Sequence, residues 1–216
     1  MPNVTEGKHS SGFILSEAQG KRSRDNVTIL SGQVLKAGAV LGSITTGSSA
    51  TSAANAGNTG NGAMGAVTVS TGAKPGVYRL NISAAATDAG TFEVEDPDGN
   101  PVGTGTVGAA FSHGGLAFTL ADGSMDFAVG DGFTITVAAG SGKFKEHNAA
   151  GTVGEQAAAA ILLDNVDATD GDTPAAIIAR DAEVNANELV WFSGATTEQK
   201  NAAIAALATK GIIVRS

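Results

Sequence analysis

Apolar and polar positions alternate through the middle of the chain. Val67 and Val69 start the pattern. Tyr78, Leu80 and Ile82 then alternate with Val77, Arg79 and Asn81, and Thr91–Glu95 (TFEVE) alternates throughout. Leu116–Leu120, Met125–Val129 and Phe133–Val137 continue it. Between these runs lie Lys74-Pro75-Gly76, Asp96-Pro97-Asp98-Gly99, Asp122-Gly123 and Gly130-Asp131-Gly132. A period of two with turn residues between the runs is the signature of short antiparallel strands, half buried on one face. Residues 46–141 are therefore expected to form a small antiparallel β-sandwich or barrel.

The flanks read differently. Residues 1–25 are polar, with one apolar trio, Phe13-Ile14-Leu15, and a basic cluster, Lys21-Arg22-Ser23-Arg24. No period persists there, so this arm is expected to be extended or disordered when free. Asn26–Leu30 reads as a strand, and Gln33–Ile44 as a second extended run bent at Gly38 and Gly42. Thr45–Ala63 consists almost wholly of Gly, Ser, Thr, Ala and Asn and reads as a flexible linker or loop. Beyond Gly140-Ser141-Gly142, Ala157–Leu163 fits either an Ala-rich helix or a buried strand, and the strand is preferred. Ala175–Arg180 and Ala182–Trp191 read as extended. Thr196 followed by Gln199 forms a capping box that starts a helix. Ile204, Leu207 and Ala208 share its inner face, Lys210 lies in its last turn and Gly211 ends it. Ile212–Val214 follows as a strand.

Composition narrows the function classes. Gly numbers 30 of 216 residues and aromatics make up 5%, so small residues fill much of the interior. With no cysteine, a disulfide framework and a thiolate metal site are both excluded. No stretch approaches the roughly 18 apolar residues of a membrane span. Met1–Ser10 lacks the apolar run of a secretory signal. The net charge of −8 is uneven: residues 1–45 carry 5 basic and 3 acidic side chains, residues 46–141 carry 2 and 8, and residues 142–216 carry 6 and 10. A chain with this balance offers no electrostatic footprint for a phosphate backbone, so no direct nucleic-acid partner and no membrane partner is expected.

Several local patterns suggest chemistry and fail on context. Gly103–Gly108 matches G-x-G-x-x-G, but a dinucleotide site needs a helix after it, and Ala109–Gly115 does not start one. Asp164, Asp167, Asp170 and Asp172 lack the ligand spacing of a calcium loop and read as a solvated acidic turn. His9, His113 and His147 fall one in each part of the chain with no ligand spacing, and Ser112-His113 lies in no nucleophile elbow. No catalytic, cofactor or metal site is assigned. Lys21, Arg22 and Arg24 are diluted by Glu17 and Asp25 and suit an acidic protein surface or solvent better than nucleic acid. Trp191, the only tryptophan, reads as a core or interface anchor.

Several co-ordered segments resemble the lambda-type phage head decoration (capsid cement) protein family. These are Thr5-Glu6-Gly7-Lys8-His9, Phe13–Ala18, Arg22–Thr28 and Gln33–Gly42 (QVLKAGAVLG). The C-terminal set is Ile178–Asn185, Glu188-Leu189-Val190-Trp191 and Gly211–Arg215. They cover roughly residues 5–45 and 142–216, about half the chain. The resemblance implies a mainly β protein with short helices, its β-clip-like decoration core built from 26–45 and 142–216. Residues 46–141 then form an inserted β domain in place of a tight turn, at a hairpin whose ends lie about 5 Å apart.

The same resemblance implies a homotrimer on the outer capsid surface, with the major capsid (coat) protein as partner, assembled in the host cytoplasm. In that reading residues 1–25 form a flexible capsid-binding arm that orders by adding a strand to the coat protein. Thr5, Glu6, Gly7, Phe13, Ile14 and Leu15 are the arm residues expected to bind, and Leu189 and Trp191 the core or trimer anchors. The product is a head stabilised against the pressure of packaged DNA. Two other readings stay open: an adhesion or glycan-binding module carried by the insert, and a tail or baseplate structural protein.

Overall fold

The computed structural model describes residues 7–216. They form a mainly β protein with one α-helix, Thr197–Ala208, and two short 3-10 turns. The chain divides into two compact units, residues 1–44 with 142–216, and residues 45–141.

The discontinuous unit is built round a closed barrel of five short strands. In barrel order they are Phe144–Glu146, Arg24–Ile29, Thr173–Ile178, Ala158–Leu162 and Val40–Ser43, which returns to Phe144–Glu146. The stretch Ala158–Leu162 is thus a strand, with Ile161 and Leu162 fully buried. A two-stranded ribbon pairs Gln33–Leu35 with Val166–Ala168. A three-stranded sheet sets Ala182–Asn185 between Ile14–Glu17 (antiparallel) and Ile212–Arg215 (parallel). Two apolar clusters fill the unit. One gathers Ile29, Leu35, Leu41, Leu162 and Ile177; the other gathers Phe13, Val40, Ile161, Val184, Leu189, Leu207 and Ile212.

The helix begins at the capping box. Thr196 Oγ1 accepts the Gln199 N–H at 3.3 Å, and Gln199 Oε1 accepts the Thr196 N–H at 2.9 Å. Its buried face is Ala203 and Leu207, with Ala206 partly buried; Ala208 faces solvent, and Lys210 lies beyond the last helical residue. The inner stripe is set by the helix packing on Ala158–Leu162 and Ile212–Arg215, one position off the sequence expectation. Gly211, with φ +75°, turns the chain into the last strand.

The continuous unit is an antiparallel sheet of nine strands. Its spatial order is Pro101–Thr106, Ala89–Glu95, Gly76–Ala86, Gly132–Ala139, Thr46–Ala54, Thr68–Val69, Leu116–Ala121 and Ala110–His113, with Ala63–Met64 also on Leu116–Ala121. Strands near opposite ends of this order meet over one core. Phe111 packs on Phe92 at 5.7 Å between ring centroids and on Phe118 at 4.8 Å. Tyr78, Leu80, Ile82, Phe92 and Val94 point into that core, as their alternation requires. Gly103–Thr106 lies in a strand, and Gly105 is where the backbone passes over the rings: a Cβ there would sit 2.3 Å from the Phe92 ring.

Two expectations fail in this unit. Thr46–Ala54 is a nine-residue strand, not a linker, because it pairs along its length with Gly132–Ala139. Its small polar side chains give it no apolar alternation to reveal it. Met125–Val129 is a loop: only Phe127 is buried, while Met125 and Val129 are 53% and 67% exposed.

The turn after Ala89–Glu95 is organised by Asp96. Its Oδ1 accepts the N–H groups of Asp98 (2.9 Å) and Asn100 (2.8 Å), and its Oδ2 meets Lys74 Nζ at 2.6 Å. Lys74 first, and then the Asn100 N–H, hold the Asp96 carboxyl down at about 2. A carboxyl lowered on folding adds stability that is complete above its unfolded value near 3.9 and is lost as pH falls through the folded value. The acid-melting profile of the chain should therefore contain a loss between about pH 4 and pH 2 that Asp96→Asn removes. An unchanged profile in that variant would show that the turn contributes nothing.

Candidate functional site

Residues 7–25 carry most of the side chains expected to bind, and the structure divides them. Ser11, with φ +62°, and Gly12 turn the chain; the Gly12 N–H donates to His9 O and the Ile14 N–H to Ser11 O, both at 3.1 Å. The Ser11 N–H donates to Leu163 O at 3.0 Å, which fixes the turn to the core. Phe13 follows. Its ring is 2% exposed in the cluster with Val184, Leu189 and Leu207, and its carbonyl accepts the Asn185 N–H at 2.8 Å. Gly38 borders this ring: with φ +84°, any Cβ there would lie 2.5 Å from Glu188 O.

Phe13 is therefore a core residue of its own chain, which corrects its expected role as an arm anchor. Residues 13–25 are folded, with Ile14–Glu17, a 3-10 turn at Gln19–Lys21 and the start of Arg24–Ile29. The physical reason is that Ala182–Asn185 offers an open strand edge beside an apolar cavity, and Ile14–Glu17 completes both. Ile14 packs against the same cluster. The pairing register shifts between Ile14 and Ser16, and at this bulge Leu15 is turned outward, 56% exposed. Gly7 is exposed, while Thr5 and Glu6 lie outside the described residues.

A cleft of about 550 Å³ opens beside this strand. Gly7, Lys8, His9 and Gly12 line one side, and Asn185 and Glu188 the other. Lys8 Nζ meets Glu188 Oε2 at 2.6 Å. Sequence reasoning did not single out Asn185 or Glu188, since only the pairing of Ile14–Glu17 with Ala182–Asn185 brings them to the arm.

Arg22, Ser23 and Arg24 of the basic cluster find partners within the chain. Glu17 accepts from Arg24 Nη2 (2.5 Å), Arg24 Nε (2.9 Å) and the buried Ser23 hydroxyl (2.6 Å). The Glu17 hydrogen bond raises the Arg24 pKa. Arg22 Nε lies 3.7 Å from Asp181, and Arg180 pairs with Asp25. Leu189 is buried, and Trp191 packs half-buried on the same cluster as Phe13.

The remaining candidates are also placed. Asp167 accepts from the Thr169 N–H and hydroxyl and closes a turn, while Asp172 accepts from the Ser31 N–H and Lys143 and ties distant segments together. His113 packs on Phe111 with tilted rings, 5.1 Å between centroids, and His147 is buried beside Phe192 at 5.7 Å. Among the described residues, no group of three metal-ligating side chains includes a histidine.

The family model of the bacteriophage lambda head decoration protein D matches residues 3–212. The chain belongs to this family. It is a phage structural protein, a capsid decoration component of the virion. The match spans both compact units, including residues 45–141.

No curated protein matches the chain. Among solved structures, the chain is similar to FlgL of Xanthomonas campestris, at 29% identity and a TM-score of 0.34, over 50% of this chain and 34% of that one. It is also similar to the flagellar junction protein FlgL of Legionella pneumophila, at 17% identity and a TM-score of 0.35, over 47% of this chain and 37% of that one. The matched part spans about a third of those flagellar chains.

Proposed function

We propose that this decoration protein binds the outer surface of the expanded icosahedral head as a homotrimer, with the major capsid protein as its partner. It stabilises the shell against the outward pressure of packaged DNA. Assembly takes place in the host cytoplasm, after the shell has formed.

The observation that carries this reading is the edge of Ile14–Glu17. Ala182–Asn185 pairs with one side of that strand, and the strand ends its sheet on the other. Leu15 stands outward from it, and the cleft of Lys8, His9 and Glu188 adjoins it. A strand edge with one outward apolar side chain is the arrangement that β-augmentation uses: backbone groups supply hydrogen bonds and the side chain supplies register. Thr5, Glu6 and Gly7 extend this contact on the proposed reading, with Leu15 as its apolar anchor in place of Phe13. Burying Leu15 contributes roughly 1.5–3 kcal/mol per arm. Three arms on one trimer multiply a modest contact into firm attachment. Leu189 and Trp191 keep a supporting role, through the cluster that seats Phe13 behind the edge strand.

Co-sedimentation with undecorated expanded capsids tests the proposal. The full chain should saturate near one copy per coat subunit. Leu15→Asp, and a chain starting at Ser10, should each lose about tenfold or more in affinity while keeping the native circular dichroism spectrum. Wild-type binding by both variants would move the contact to another face. Sedimentation velocity of the free and released protein reports the trimer directly.

A further inference from the structure

Three carboxylates meet in the continuous unit, with no partner of opposite charge among the described residues. Asp88 lies at the tip of the hairpin between Gly76–Ala86 and Ala89–Glu95; Asp122 and Asp126 lie in the loop after Leu116–Ala121. One oxygen from each falls within 4.8 Å of the others. Asp88 and Asp126 are exposed, so the cluster is open to solvent on one side. The Asp88 N–H donates to Asp126 Oδ1 at 3.0 Å, which holds the hairpin tip and the loop together.

Asp122 is the decisive member. Both of its carboxylate oxygens are sealed from solvent, and neither receives a hydrogen bond. A buried carboxylate with no donor and no counter-charge is costly, and two further carboxylates at this range add repulsion. The buried carboxylates elsewhere in this unit are treated differently: Asp96 and Asp131 each accept several hydrogen bonds. Asp122 has no such donors.

We propose that Asp88, Asp122 and Asp126 form a Ca2+ site that fastens the hairpin tip to the loop. The donor set is oxygen only, which selects a hard cation. Ligands on one Ca2+, at about 2.3–2.6 Å each, can stand up to about 5 Å apart, so three oxygens that all lie within 4.8 Å of one another fit one such shell. Ca2+ also tolerates an irregular shell completed by water, which the exposed side of the cluster admits. Mg2+ demands a regular octahedron with bonds of about 2.0–2.1 Å and gives up its water reluctantly, so it suits the site less well. Three carboxylates on two separate segments place the affinity in the range of extracellular modules, about 0.1–1 mM. The site goes beyond the decoration role and does not depend on it.

Calorimetric titration of the full chain with CaCl2, after removal of metal by chelation, tests this. One site per chain is expected. Asp122→Asn and Asp126→Asn should each weaken it at least tenfold with an unchanged far-ultraviolet circular dichroism spectrum. Without metal, Asp122→Asn should melt no lower than the wild type, since it removes a buried charge; a side chain that merely supports the loop would melt lower. The assignment is overturned by any of three results: no heat up to about 10 mM Ca2+, wild-type affinity in the variants, or tighter binding of Mg2+ than of Ca2+.

Discussion

Phe13→Ala should lower the stability of the discontinuous unit by about 3–5 kcal/mol, the usual effect of emptying a buried phenylalanine site. The ring is 2% exposed and is surrounded by side chains from three other parts of the sequence: Val40, Val184 with Leu189, and Leu207 with Ile212. None of these can close the cavity without breaking its own strand or helix pairing. With a slope of about 1.5 kcal/mol per M, the urea midpoint should fall by roughly 2–3 M. Trp191, the only tryptophan, packs on the same cluster and provides the fluorescence signal. Leu15→Ala, two residues on, should leave the stability within about 0.5 kcal/mol of the wild type. An unchanged midpoint in Phe13→Ala would return Phe13 to a free arm. The same geometry decides how the arm is shortened: a chain starting at Asn26 loses Phe13, the strand Ile14–Glu17 and the Glu17–Arg24 pair, so its failure to bind capsids would report unfolding.

Asp131→Ala should have a comparable effect on the other unit, about 3–5 kcal/mol. The Asp131 side chain is buried and accepts three backbone N–H groups: Thr59 and Gly60 at 2.8 Å, and Ala128 at 3.0 Å. Alanine leaves all three donors without their carboxylate partner at a part-buried position. Asparagine keeps one oxygen and should recover part of the loss. Burial alone would raise this carboxyl, but the three N–H donors outweigh it and the net shift is downward. Its contribution is therefore complete above the unfolded value near 3.9 and disappears as pH falls through the lower folded value. Tyr78, the only tyrosine, is buried in this unit, so its near-ultraviolet circular dichroism follows this transition apart from that of Trp191. A melting curve at Tyr78 that Asp131→Ala does not shift would sink the argument.

What could be read from the sequence depended on whether a side chain's role was set locally. The strands Gly76–Ala86 and Ala89–Glu95 were legible because each buries one face, and Tyr78, Leu80, Ile82, Phe92 and Val94 mark it. The capping box at Thr196 and Gln199 was legible because both partners sit within one turn. Thr46–Ala54 was not, since its identity as a strand comes from a partner some eighty residues on and not from its own pattern. The apolar trio Phe13-Ile14-Leu15 read as one anchor, yet Phe13 and Ile14 both pack on the interior cluster, and the bulge between Ile14 and Ser16 turns Leu15 alone outward. The acidic loop at 164–172 drew attention by density, but Asp164 and Asp167 bond within the loop and Asp172 reaches Ser31 and Lys143. The cluster of Asp88, Asp122 and Asp126 had no local density and exists only once the hairpin and loop are folded.

The sheet that places Ile14–Glu17 against Ala182–Asn185, and that strand against Ile212–Arg215, also sets an order of events during synthesis. At about 5–20 residues per second, the N-terminal strand waits on the order of 10–30 s for its partner to leave the ribosome. Residues 45–141, whose pairings all fall within that stretch, are complete well before then. For the last part of that interval, about 2–8 s, the nascent chain carries a finished domain behind an unmatched edge strand and an unburied Phe13. Slowing translation near the C-terminus should thus lengthen the period in which this chain is open to chaperones and to aggregation.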